Sequence, residues 1–526
     1  ISPLEASGAP VFNNNPYLRL NGRGVLVGII DTGIDYLNKE FQREDDTTRI
    51  VRIWDQTIQG NKEIYSLKYG TEYTEDQINQ AIRLQASGGD PYSIVPSKDD
   101  IGHGTRMAGI IGGRGINPDL KGAASDCQFI IVKLSRATKV ELDVAVIDKT
   151  DVPSYSPWSA LLALRYIIAV ARELKRPVVV FEPLGSNMGS HTGNGIVEQS
   201  INNYSTQSGT VVVVPTGNQG NTDTHTEGII ENVGDVKDIE IRIGEKQRNL
   251  PIEIWINKPN RVKLSIISPS GEMIDNLDSK NANNERIKFL YEGTEMIVNF
   301  TSPELSTGDS HIFIRAYNLK AGIWKFRLTG QYIVEGKYYA WIPQRELLDS
   351  ETKFLNSVGY TTLTLSSTSN RAISVAYYNQ EDNSVVTESG RGYTRDKMIK
   401  PDIAAGGFNA IVTNPGGGTA VISGASVAGA VVAGCCVLIL QWAVTDKNYP
   451  DIYAEQIKAY IISGAKGRPG DVYPNKEWGY GMLDMNGIFD RIKDTYNPRK
   501  SEDYEEYRVN NLFIRIPKSR YNRTIN

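Results

Sequence analysis

"VISGASVAGAVVAGCCVLILQW", Val421 to Trp442, is the stretch on which the fold turns. It is almost wholly small or apolar and carries Ser426 just behind Gly424 and Ala425. No charge occurs from Ala420 to Thr445, a run long enough to cross a bilayer. Its first half, however, is Gly, Ser and Ala, and nothing else in the chain looks like a span. The stretch therefore predicts a buried helix with a serine at its head, and no membrane span.

Outward from that helix, short β-branched runs recur. "GVLVGIID" (Gly24 to Asp31), "QFIIVKL" (Gln128 to Leu134), "PVVVF" (Pro177 to Phe181), "TVVVVP" (Thr210 to Pro215) and "AISVAYY" (Ala372 to Tyr378) read as strands buried on both faces. Helical patterns lie between them, at Pro157 to Leu174 and Gly193 to Gly209. Alternating strands and helices predict an α/β fold with a mostly parallel sheet flanked by helices. Reactive groups in such sheets gather at the carboxyl ends of the strands.

Between Gly228 and Ser350 the period changes to two, as in "DIEIRI", "LPIEIWIN" and "HIFIRAYN". This predicts an inserted antiparallel β-sandwich, read as a jelly roll. The expected organisation is a first α/β part over 1–227, the insertion over 228–350, a second α/β part over 351–496, and an extended tail over 497–526. A helix is expected in "PDIYAEQIKAYIISGAK", a turn and strand at "GYGMLDM", and extended chain at "GAPVFNNNPYL".

Composition narrows the function. The 526 residues carry a net charge of −4, which argues against a nucleic-acid binder or a polybasic membrane binder. Three cysteines, two of them adjacent, make neither a disulfide framework nor a metal motif. No metal and no cofactor is expected. The chain opens at Ile1 with a polar stretch and no charged-then-apolar signal peptide.

Four residues could carry chemistry, and each has a bland reading. Asp31 ends a strand in "DTGID", where aspartates commonly start turns. His103 lies in "GHGTRMAG" at a predicted helix start, and most such histidines are structural. Asn218 in "TGNQG" follows a buried strand and equally suits a left-handed turn. Ser426 in "SGASVAG" equally suits a helix N-cap. In the order Asp, His, Asn, Ser, these segments resemble the four signature segments of the subtilisin-like serine proteases. "KPDIAAGG" (Lys400 to Gly407) and "GYGMLD" (Gly479 to Asp484) resemble further framework segments of that family.

The resemblance implies roles. Ser426 would be the nucleophile, His103 its base, Asp31 the group that orients the imidazole, and Asn218 the oxyanion donor. Leu184, Gly185 and Gly217, in "FEPLG" and "PTGNQG", would line the substrate site. Two departures stand out. Ala425 replaces the usual threonine before the nucleophile, and Pro183 replaces the usual serine of the substrate-lining strand, with Glu182 before it also unusual. Calcium is common in the family, but no aspartate-rich loop indicates it here.

The long Asp31–His103 segment and the insertion ahead of the serine resemble the Csp germination proteases of clostridial spores. That likeness implies a bacterial spore location, in the cortex or coat region. It also implies a cortex-lytic enzyme precursor as protein substrate, and a prodomain cleaved ahead of Ile1 that stays bound. The same group includes inactive members, so a pseudoprotease serving as germinant sensor or scaffold is the alternative.

Overall fold

The computed structural model describes residues 1–60, 63–278, 284–496, 504–509 and 512–517, with side chains through 495. Its centre is a nine-stranded sheet. Six strands come from the first part of the chain: β1 (Leu26–Asp31), β2 (Ile50–Asp55), β3 (Thr71–Thr74), β4 (Gln128–Lys133), β5 (Val178–Phe181) and β6 (Thr210–Pro215). Strand order is Ser384–Val385, Ile373–Asn379, β6, β5, β1, β4, β2, β3, with Ile403–Gly406 also pairing Ile373–Asn379. Every pair from Ile373–Asn379 through β2 is parallel. The carboxyl ends of β1, β5 and β6 therefore share one edge.

Side-chain alternation explains why these strands read as unbroken apolar runs. Val27, Ile29, Val179, Phe181, Val211 and Val213 face one core, which contains the helix Ala425–Leu440. Leu26, Ile30, Val178, Val180, Val212 and Val214 face another, against the helix Pro157–Glu173. Both faces are covered, as a parallel sheet requires.

The opening stretch is the central helix. Ala425–Thr445 is long and apolar enough to cross a membrane, yet 94 % of its apolar 18-residue stretch is buried inside the protein. It is apolar all round because it meets protein on every side. Its small residues set the approach distance: a Cβ on Gly429 would stand 2.9 Å from the Phe181 ring, and one on Gly434 would stand 2.6 Å from Cβ of Ala123.

The alternating segments form two antiparallel sheets. One has the order Met273–Leu277, Arg261–Ile267, Gly322–Tyr332, Val236–Ile243, Lys353–Phe354. The other runs Glu285–Phe289, Thr294–Thr301, Ser310–Tyr317, Leu250–Ile256, Lys337–Trp341, His225–Ile229. Inward residues of both sheets, among them Ile241, Ile254, Ile314 and Trp324, make a single core, so the pair is a sandwich.

Aromatic stacking and one arginine bolt the sandwich to the α/β half. His191 and Trp341 stack at 4.0 Å, and Trp341 and His225 at 4.4 Å. The Arg395 side chain, 1 % exposed, pairs with Asp309 at 2.7 Å. It also donates to the Ser190 carbonyl and the Asn257 side chain, and lies 4.9 Å above the Trp255 ring.

Some local expectations shift. The stretch 8–18, read as extended, contains the helix Ala9–Asn13, and a first helix, Pro3–Ser7, precedes it with a capping box between Ser2 and Glu5 at its start. The helix over 193–209 shortens to Ile196–Tyr204 because Gly195 caps it. The strand at "GYGMLDM" reduces to isolated bridges from Met482 to Ala404 and Lys466, followed by the helix Met485–Tyr496. The tail lies largely outside the described residues, and Tyr504–Val509 and Leu512–Pro517 pair as antiparallel strands.

Candidate active site

Asp31 is the last residue of β1, and its side chain is fully buried. His103 is the first residue of the helix His103–Gly112. Nδ1 of His103 lies 2.9 and 2.8 Å from the two carboxylate oxygens of Asp31. A carboxylate there makes Nδ1 the protonated nitrogen and leaves Nε2 to accept a proton. Burial works against the charged imidazole, but the charge of Asp31 and its hydrogen bond outweigh it. His103 therefore titrates above its ordinary value of 6.5.

The two elements meet because Gly104 has no side chain: a Cβ there would fall 2.1 Å from the Gly33 carbonyl oxygen. A residue that sequence reasoning missed ties them together. Asp99 accepts from the Thr32 hydroxyl, from Gly102 N–H and from both the N–H and the hydroxyl of Thr105, at 2.6 to 2.8 Å. It thus satisfies first-turn donors of the histidine helix and holds the turn after Asp31. The visible signal was an acidic residue just ahead of "GHGT".

Ser426 lies in the first turn of the central helix and is half-buried. Gly424 caps that helix with φ 149 and ψ 172, a conformation open to glycine. Asn218 follows β6, and its Oδ1 accepts from Ala425 N–H at 3.0 Å. That bond uses the acceptor end of the amide and leaves the two Nδ2 protons free to donate. The Ser426 N–H is one of the orphan donors of a helix start.

The structure thus joins Asp31 to His103, and Asn218 to the residues just before Ser426. β1 and β6 flank β5, so both clusters stand on one sheet edge, about 10 Å apart by strand spacing. Among the described residues no hydrogen bond links the Ser426 hydroxyl to His103. Such bonds commonly tighten only when substrate arrives.

The departures acquire physical content. Ala425 is buried, and its N–H orients the Asn218 amide. The β5–β6 ladder ends at Glu182, whose N–H reaches the Val213 carbonyl, and Pro183 follows as the chain diverges. Burial pushes the Glu182 carboxyl up to about 8, with the Ser366 hydroxyl opposing and Glu198 adding.

Leu184 is half-buried on the flanking core, Gly185 is exposed, and Gly217 lies beside Asn218. The chain leaving the sandwich reaches these walls. Gln344 donates to the Gly185 carbonyl at 2.6 Å, and Arg345 N–H donates to the Gln219 side chain at 2.9 Å.

A parallel sheet with a buried acid–imidazole pair at one strand end and a serine heading the central helix defines a subtilisin-like serine endopeptidase site. The Subtilase family model matches residues 22–238 and 354–481, leaving out most of the sandwich, and the chain belongs to that family. It is similar over 94 % of its length to the structure of the Clostridium perfringens CspB protease, covering 97 % of that chain with 29 % identity and a TM-score of 0.82. It is also 23 % identical over 503 residues to the PII-type proteinase of Lacticaseibacillus paracasei, covering 86 % of this chain and 24 % of that protein. For the PIII-type proteinase of Lactococcus lactis subsp. cremoris (strain SK11), identity is 22 % over 521 residues, covering 86 % and 23 %. The chain thus spans about a quarter of these curated relatives.

Proposed function

We propose that this chain is a serine endopeptidase acting by limited proteolysis. In this reading Nε2 of His103 takes the Ser426 proton as Oγ bonds to a peptide carbonyl carbon. The carbonyl oxygen, now negative, accepts from Asn218 Nδ2 and the Ser426 N–H. The proton passes from His103 to the leaving amine as the C–N bond breaks, and water then hydrolyses the ester by the same relay. No step needs a metal or cofactor. The observation that carries the reading is the placement of the Asp31–His103 pair and the Asn218–Ala425 contact on one strand edge.

The likeness to the CspB protease, together with the sequence resemblance to Csp germination proteases, supports a finer reading. The substrate would be a cortex-lytic enzyme precursor in the germinating bacterial spore, and the enzyme's own cleaved prodomain would stay bound as chaperone and inhibitor.

The test is labelling with a fluorophosphonate, comparing the protein with Ser426→Ala. Complete, Ser426-dependent labelling is expected. Absence of labelling after removal of any bound peptide would favour a catalytically silent sensor or scaffold. That second reading has one observation in its favour: Gln344 already occupies the Gly185 carbonyl on the substrate-lining wall. For the oxyanion role, Asn218→Ala should lower kcat by about 10²–10³ with KM little changed, a size known from subtilisin itself rather than deduced from this geometry. A loss under threefold would remove Asn218 from that role.

A further inference from the structure

The segment that leaves β5, 183–185, emerges between the strand end that carries Asp31 and the strand that leads to Asn218. It is an open edge: past Glu182, neither the Leu184 N–H nor the Gly185 N–H has a partner among the described residues. One group on this edge is taken. The carbonyl of exposed Gly185 accepts from Nε2 of Gln344 at 2.6 Å. Gln344 lies just past the sandwich strand Lys337–Trp341 and heads the short turn Arg345–Leu347. That turn is pinned. The Ile342 N–H donates to the Thr224 carbonyl at 3.1 Å, and the Arg345 N–H to the Gln219 side chain at 2.9 Å. The Arg345 guanidinium donates to the Thr352 carbonyl at 2.8 Å, and Gln219 Nε2 to the Glu346 carboxylate at 3.1 Å. Lys149, in the chain that follows β4, donates to the Glu346 carbonyl at 3.0 Å. One turn of the inserted region thus straps together the segments that follow β4, β5 and β6.

Under the endopeptidase reading, on which the inference rests, a bound peptide lies along this edge, because an extended chain adds to an open strand by main-chain hydrogen bonds. Where two antiparallel residues exchange bonds, each gives its N–H to the carbonyl of the other. Gly185 has its N–H to offer, but its carbonyl already holds Gln344. We propose that Gln344 is a specificity-determining residue: its amide stands in for the backbone N–H of an incoming peptide. Only a substrate that displaces it gains the full ladder along 183–185. The anchors at Thr224, Gln219 and Thr352 hold the strap in place, so Gln344 is a standing competitor. A free peptide has only its backbone to set against it. A folded partner protein brings further surface to the strap and the sandwich, and that surface supplies what displacement requires. The exchange of one such hydrogen bond corresponds to about two- to tenfold in binding. Gln344 therefore disfavours indiscriminate cleavage of extended peptides without touching the reacting atoms.

The experiment measures kcat/KM on two peptides with the same scissile bond, one cut short on the acyl side and one extended along 183–185. The long peptide is also made with its acyl-side amides N-methylated in turn. Wild type, Gln344→Ala and Gln344→Glu are compared, each titrated with a small fluorophosphonate that does not reach Gly185. In Gln344→Ala the advantage of the long peptide over the short one should widen about two- to tenfold. One N-methyl position that wild type tolerates should become costly in the variant. Gln344→Glu sets an acceptor against the Gly185 carbonyl and should free it in the same way; it carries the test if the alanine variant does not fold. A long-to-short ratio unmoved in both variants means that the carbonyl already serves the peptide alongside Gln344. N-methylation as costly in wild type as in the variants means the same. Either result, with labelling intact, overturns the role of Gln344 and leaves the endopeptidase standing. Three proteins that neither label nor cleave overturn both.

Discussion

Asp31→Asn should reduce kcat by about 10⁴, the size of effect seen when the acid of a serine-protease triad loses its charge. The geometry gives the reason. Both Asp31 oxygens face Nδ1 of His103, and one also accepts Thr32 N–H at 2.7 Å. An amide there can turn its NH₂ toward Nδ1. Nδ1 then becomes the acceptor, Nε2 carries the proton, and the imidazole cannot take one from Ser426. The pH profile should move too. Wild-type activity requires neutral His103, so its acid limb should lie above 6.5, where the Asp31 charge holds the imidazole. Without that charge burial prevails, and the limb should shift to lower pH. Stopped assays of kcat/KM from pH 4 to 9 on both proteins decide the matter. A variant within tenfold of wild type, or an unmoved acid limb, would contradict the assignment.

The second large effect concerns stability. Arg395→Met should destabilise the protein by about 3–5 kcal/mol, because it strands Asp309 as an unpaired buried charge. Arg395→Met combined with Asp309→Leu should recover most of that loss, since a buried pair replaced by apolar groups is often neutral. Urea unfolding followed by tryptophan fluorescence is a direct readout, as the guanidinium lies over Trp255. A loss below about 1 kcal/mol for the single variant would mean that Asp309 finds water, and that the junction is looser than its burial suggests.

What the sequence could announce, and what it could not, divides along physical lines. Asp31, His103, Asn218 and Ser426 were legible because each sits in a short local pattern at a strand end or helix start. The parallel strands were legible because burial on both faces leaves an unbroken β-branched run. Arg395 carried no local mark. It is defined by Asp309, 86 positions away. A polar side chain in a loop looks like solvent-facing chain until the fold brings its partners to it. Asp99 falls between: the cap was visible in "DDIGHGT", but the Thr32 contact that makes it a hub was not.

The split of the catalytic half around the sandwich also has a consequence for biosynthesis. Asn218 and Ala425 are neighbours in space but 207 positions apart in the chain. At about 5–20 residues per second, roughly 10–40 s pass on the ribosome between them. Throughout that interval the nascent chain holds Asp31, His103 and Asn218 but not Ser426. The sandwich lengthens that interval by the time its own residues take to be made.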